Sequence, residues 1–210
     1  MRVFVTGASG WIGSAVVPEL IGAGHQVLGL ARSDSSAAAI AAAGAEVLRG
    51  DLDDLDTLGT GAADSDGIIH LAFIHDFTRF KASVQADRRA IETMGAALQG
   101  SGKPLVIASG TPALPGRLAT ERDDPAPGSP VAGRAANAQA ALGMAACGVR
   151  SSVLGLPRTV HGEGDHRGFI ARLVAIARDK GVSGFVGDGS SRWPAVHVLD
   201  VAHLFRLAVE

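Results

Sequence analysis

Short apolar runs alternate along the chain with longer runs in which apolar residues recur every three or four positions. The short runs lie at residues 2–6, 26–30, 46–48, 67–71, 105–108 and 152–156. Most are continuously apolar rather than alternating, the pattern of strands covered on both faces. The longer runs lie at 11–23, 35–43, 55–59, 84–98, 131–147, 168–179 and 201–209, and they predict helices, with Asp200 as the N-cap of the last. Strands and helices in strict alternation predict an α/β fold, a doubly wound parallel sheet with helices on both faces. Two stretches read as loops: the proline-rich 111–130, and 157–167 with Gly162 and Gly164. Both follow the carboxyl ends of predicted strands, where open α/β sheets bind ligands.

The first strand runs directly into Thr6-Gly7-Ala8-Ser9-Gly10-Trp11-Ile12-Gly13 and then into an amphipathic helix. A dinucleotide pyrophosphate needs that order of strand, glycine turn and helix. Gly7 allows the sharp turn, Gly10 lets the backbone approach the phosphates, and Gly13 lets the helix pack closely on the strand. The free N–H groups near Trp11 and Ile12 then face the anion. The sheet is therefore expected to be of Rossmann type. Pro18, inside the helix pattern, removes one backbone donor without undoing the motif.

Composition narrows the partners. The net charge of −2 gives no broad electrostatic case for nucleic acid or an acidic membrane surface. No apolar run reaches membrane-spanning length, and the chain opens on a strand rather than a signal-peptide pattern. The single cysteine, Cys147, cannot form an internal disulfide and is expected as a small buried residue. A cytoplasmic protein acting on a small molecule is expected.

The chain resembles the extended short-chain dehydrogenase/reductases, the group of nucleotide-sugar epimerases and dehydratases. The glycine turn resembles that family's cofactor fingerprint, and Gly50-Asp51-Leu52 its adenine-contacting motif. His70-Leu71-Ala72 resembles the segment lining the cofactor, and Leu156-Pro157-Arg158-Thr159-Val160-His161-Gly162 the segment bordering the nicotinamide. Residues 195–202 resemble a late strand-to-helix signature, and Ser109 matches the active-site serine or threonine. The resemblance implies a nicotinamide cofactor held by Gly7, Ser9, Gly10, Trp11, Ile12, Gly13, Asp51, Leu52, Leu71, Ala72 and Pro157.

An NAD-preferring site offers a carboxylate after the second strand for the ribose 2′-hydroxyl. This chain has Arg32-Ser33-Asp34 there. A guanidinium suits a 2′-phosphate, so NADP is expected over NAD, with Arg32 and Ser33 at that phosphate. The alternative is a solvated Arg32, with Asp34 selecting the nucleotide or capping the next helix.

The resembling family uses a tyrosine four residues before a lysine on the helix after the fifth strand. This chain has no tyrosine, and its helix at 131–147 has no lysine. Arg134, Asn137 and Gln139 are that helix's polar groups, and arginine is a poor proton donor. His161 is the first replacement considered, since imidazole titrates near neutrality. A structural loop histidine is the equal alternative. Ser109 and Thr111 could polarise a substrate carbonyl, or simply bond within the turn. His70 reads as a satisfied, partly buried histidine, and His197 and His203 as structural. No second ligand cluster accompanies Gly162-Glu163-Gly164-Asp165-His166, so no metal is expected. Ser109 also lacks the elbow of a serine hydrolase.

Members of the resembling family continue into a smaller C-terminal portion that closes over the substrate, and that portion is absent from these 210 residues. The expected consequence is exposed apolar surface, which a homodimer would cover. Two functions compete: an atypical NADP-dependent oxidoreductase or epimerase-like enzyme, and a dinucleotide-binding regulator that has lost its proton relay.

Overall fold

In a computed structural model, residues 1–112, 114, 116–123, 132–166 and 168–210 are described. Val131 and Arg167, which bound a predicted helix and a predicted loop, lie outside the described residues, as do 113, 115 and 124–130 of the proline-rich stretch. The elements are β1 (Arg2–Thr6), α1 (Gly13–Gly22), β2 (Gln26–Ala31), α2 (Asp34–Ala42), β3 (Glu46–Arg49), α3 (Leu55–Ala63) and β4 (Gly67–His70). After them come α4 (Phe80–Ala97), β5 (Pro104–Gly110), α5 (Ala132–Gly143), β6 (Arg150–Leu156), β7 (Thr159–His161), α6 (Phe169–Lys180), β8 (Ala195–His197) and α7 (Val198–Val209).

Six strands form one parallel sheet in the order β3-β2-β1-β4-β5-β6. This is the doubly wound order, and it reverses between β1 and β4. Alternation along each strand feeds two cores. Val3, Val5, Ile69 and Val106 face the layer of α1 and α7, with Val16, Leu20 and Phe205. Phe4, Ile68, Leu105 and Ile107 face the layer of α4 and α5, with Ile91, Met94, Ala138 and Ala141. Burial on both faces explains the continuously apolar strands. Glu19 of α1 ties α7 in place, accepting from Arg206 Nε at 2.8 Å and lying 2.9 Å from His203 Nδ1.

Several local expectations are corrected. The 157–167 stretch is not wholly a loop, because β7 pairs in parallel with β8 in a separate two-stranded sheet. His197, not Asp200, caps α7, its Nδ1 accepting from Leu199 N at 3.3 Å. The helix after β5 ends at Gly143 and tightens into a 3-10 turn over Met144–Cys147, which leaves Cys147 exposed rather than buried. A 3-10 turn at Phe77–Arg79, capped by Asp76, starts α4 earlier than its apolar pattern shows. Among the described residues no helix is long and apolar enough to cross a membrane.

Candidate functional site

The carboxyl ends of β1, β2, β4 and β5 converge where the strand order reverses. β1 delivers the chain to Gly7, whose φ of +69° suits glycine. A Cβ there would lie 2.8 Å from Ala72 N, so the segment after β4 walls the turn. Gly10 N donates to Gly7 O at 2.9 Å, and Ser14 N donates to Gly10 O at 2.8 Å. A Cβ on Gly13 would collide with Gly7 O and Ala8 O, which fixes how closely α1 approaches. Among the described residues, the N–H groups of Trp11, Ile12 and Gly13 have no partner, and α1 has no acidic residue in its first turn. Donors and helix dipole are thus open to an anion. Ser9 is exposed on the same turn. Trp11 Nε1 donates to Val160 O at 2.9 Å, joining the turn to β7.

At the end of β2, Arg32 is exposed and without a partner among the described residues. Ser33 caps α2, accepting from Ser36 N at 3.2 Å. Its Oγ also lies 3.0 Å from Ser35 Oγ and 2.8 Å from Ser36 Oγ. The Asp34 carboxylate is held by Arg49. Asp51 Oδ1 accepts from Asp53 N at 2.9 Å and Asp54 N at 3.2 Å, so one of its oxygens serves the turn before α3. The Leu52 side chain belongs to the core. Leu71 N donates to Thr6 O at 3.2 Å, beside the cradle. Pro157 lines a groove of about 460 Å³ between β6 and α7, with Leu156, Val196 and Leu204.

Beneath the cradle runs a buried polar chain. Thr6 Oγ1 accepts from Ala72 N at 3.2 Å and lies 2.7 Å from His70 Nδ1. His70 Nε2 lies 3.2 Å from Asp87 Oδ1. Asn137 Nδ2 donates to Asp87 Oδ2 at 2.7 Å and to Val84 O at 2.9 Å. Both ring nitrogens of His70 and both carboxylate oxygens of Asp87 therefore have a hydrogen-bond partner. Burial pushes the Asp87 carboxyl up. Bonding and charge from His70, the Asn137 bond and the charge of Arg134 together hold it below its ordinary value. The chain fastens β1, β4, α4 and α5 at the level of the cradle. His70 is therefore the satisfied histidine the sequence suggested. Asn137 was read only as a polar group of its helix and Asp87 not at all, although an acid inside the apolar stripe of α4 was a visible signal.

Ser109 pairs with Gly155 at the end of β5. Leu105 and Ile107 point to the α5 layer, and strand alternation puts Ser109 on that same face. The hydroxyls of Ser109 and Thr111 have no partner among the described residues. Thr111 N donates to Leu156 O at 2.9 Å. His161 ends β7, its ring centroid 5.5 Å from that of His197 in an edge-on contact. Among the described residues no hydrogen bond joins His161 to Ser109 or Thr111. No group of three metal-ligating side chains occurs among the described residues. The open donors, the close-packed glycines and the strand ends fit a pyridine dinucleotide.

Comparison with known proteins agrees with this geometry. The chain is 48% identical over 213 residues to a Saccharomyces cerevisiae protein named Uncharacterized protein YLL056C, covering 100% of this chain and 71% of the relative. It is 31% identical over 222 residues to the 4-hydroxy-2-methyl-3-oxo-4-farnesyl-3,4-dihydroquinoline-1-oxide ketoreductase of Stigmatella aurantiaca, covering 100% of this chain and 65% of that protein. The structure of MoeE5 in complex with UDP-glucose and NAD superposes with a TM-score of 0.79 at 26% identity, covering 100% of this chain and 72% of that one. The model of the NAD dependent epimerase/dehydratase family matches residues 3–210. The chain belongs to that family.

Proposed function

We propose that the protein binds NADP(H) and acts as an oxidoreductase or epimerase-like enzyme on a carbonyl or alcohol carbon. One observation carries this reading: the unpartnered N–H groups of Trp11, Ile12 and Gly13 above a turn whose glycines admit no side chain. When bound, the nicotinamide supplies hydride exchange. The chain's own groups do the rest. The α1 donors hold the pyrophosphate, with Gly7, Ser9 and Gly10 as the floor and Leu71 and Ala72 as the wall. Arg32 takes the 2′-phosphate beside the Ser33 cap. The pairing of Arg49 with Asp34 supports NADP over NAD, since it occupies the acid that would otherwise repel that phosphate. Asp51 keeps one carboxylate oxygen for the adenine side, next to Leu52, and Pro157 borders the nicotinamide side. Ser109 and Thr111 orient the substrate oxygen, and His161 moves the proton. The Stigmatella relative is named as a ketoreductase, which supports carbonyl chemistry. The near-neutral charge supports a small-molecule substrate in the cytoplasm rather than a nucleic acid or membrane partner.

A regulator that binds the nucleotide without turnover is the second reading, and the absence of any tyrosine favours it. Titration with NADPH and NADH, followed by tryptophan emission, comes first, because Trp11 stands at the cradle. A panel of aldehydes, ketones and nucleotide sugars follows. Turnover that drops roughly a hundredfold or more in His161→Ala supports the enzyme. Binding with no turnover across the panel supports the regulator, and no binding of either nucleotide defeats both.

A further inference from the structure

The buried chain of Thr6, His70, Asp87 and Asn137 satisfies its own polar atoms, but the cation beside it is left incomplete. Arg134 stands in the first turn of α5 and is half-buried. Its Nη2 donates to Ala108 O at 3.0 Å, and its Cζ lies 4.3 Å from the centroid of the Phe73 ring. These two contacts fix the plane of the guanidinium. Among the described residues no carboxylate is bonded to it. Asp87 spends its oxygens on His70 and Asn137 and acts on Arg134 through charge alone. Burial lowers the affinity of the Arg134 guanidinium for its proton, and Asp87 offsets part of that effect. A guanidinium carries five N–H donors, and the Ala108 carbonyl accepts from one nitrogen. A partly desolvated cation with open donors calls for an anion.

Its place in the fold says which anion. Ala108 immediately precedes Ser109, and Ser109 faces the α5 layer. Phe73 follows Leu71 and Ala72, the wall of the glycine turn. Arg134 therefore sits between the ends of β4 and β5, on the side where the cofactor cradle and the free hydroxyl of Ser109 meet. A planar fork of N–H groups matches a planar carboxylate through two parallel hydrogen bonds, which a lysine in its place would not reproduce.

We propose that Arg134 anchors a carboxylate of the substrate, so that the molecule acted upon is an oxo acid or a hydroxy acid. This rests on the proposed function, because it is the hydride-transfer reading that makes the space beside Ser109 a substrate site. Ser109 then receives the carbonyl or hydroxyl oxygen, while Arg134 holds the acid group and sets which end of the molecule enters. Asn137, three residues further along α5, locks the helix to Asp87 and so positions Arg134.

Calorimetry on the full chain with saturating NADP⁺ tests this, using oxamate and its neutral isostere oxamide as probes. Wild type should bind oxamate about ten- to a hundredfold more tightly than oxamide. Arg134→Met, which keeps an apolar stem over Phe73, should abolish the preference. Arg134→Lys, which keeps the charge without the fork, should retain only part of it. Circular dichroism and nucleotide affinity, measured on each variant, report folding independently. If Arg134→Met does not fold, the partial loss in Arg134→Lys carries the test. Equal binding of the two probes to wild type, or a preference unchanged in both variants, overturns the proposal while leaving nucleotide binding intact. Failure of wild type to bind any pyridine nucleotide instead overturns the proposed function, and oxamate titration of the nucleotide-free protein still reads Arg134.

Discussion

The six-stranded sheet and the β7–α6–β8 segment use apolar residues in opposite ways. In the sheet and its helices, Phe4, Leu20, Ile68, Leu105 and Phe205 are wholly enclosed. In α6 no residue is buried, and Phe169, Ile170, Leu173, Val174 and Ile176 all stay exposed. The segment is held at a few points. Phe169 stacks on Trp193 with centroids 4.8 Å apart, and Trp193 Nε1 donates to Thr159 Oγ1 at 2.6 Å. A helical period of apolar residues thus predicts a helix in both regions, but it does not say whether the apolar face is covered. The cradle, the buried polar chain and Arg134 all stand on the enclosed region.

That contrast predicts a gradient of mutational effects. Gly13→Val should be the most damaging, costing more than about 4 kcal/mol or preventing folding, because the new side chain meets backbone at Gly7 and Ala8 rather than a movable group. Denaturant unfolding measures it, and near-wild-type stability with nucleotide binding retained would break the account of the cradle. Asp87→Ala comes next, at about 3 kcal/mol, since it strands His70 and Asn137 inside the protein. Its acid dependence has a definite sign. The folded carboxyl titrates below its unfolded value, so its contribution is complete above a pH of about 4 and is lost as pH falls through the folded value. Asp87→Asn should therefore flatten the acid limb of stability, as urea melts at a series of pH values will show.

Arg32→Ala should leave stability unchanged and weaken NADPH about tenfold or more, with NADH little affected. Equal loss for both nucleotides would transfer selection to another group, Asp34 first. Leu173→Ser, on the open face of α6, should change stability by less than about 0.5 kcal/mol. A loss of several kcal/mol there would mean that α6 is covered in solution, and the contrast between the two regions would dissolve.

What could be read in advance follows the same division. The six sheet strands and the glycine turn were legible because enclosure on both faces forces unbroken apolar runs, and the approach of α1 forces glycine at position 13. β7 was not, because a strand of three residues leaves no period to detect, and β8 was readable only through the resemblance of 195–202 to a strand-to-helix signature. The α7 cap was misplaced because Asp200 is the usual capping type, while His197 does the work with a ring nitrogen. Cys147 looked buried only while its helix was read past Gly143. Ser109, Thr111 and His161 were identifiable by type and place, but β7, the strand that carries His161, was not. Asp87, Asn137 and Arg134 come from two helices and meet only through tertiary packing.

The bond from the Trp11 indole to the Val160 carbonyl spans this divide. It acts as a tether between the glycine turn and the strand that ends at His161. A displacement of the turn is therefore passed to that strand through a single side-chain bond, across the boundary between the enclosed core and the open segment.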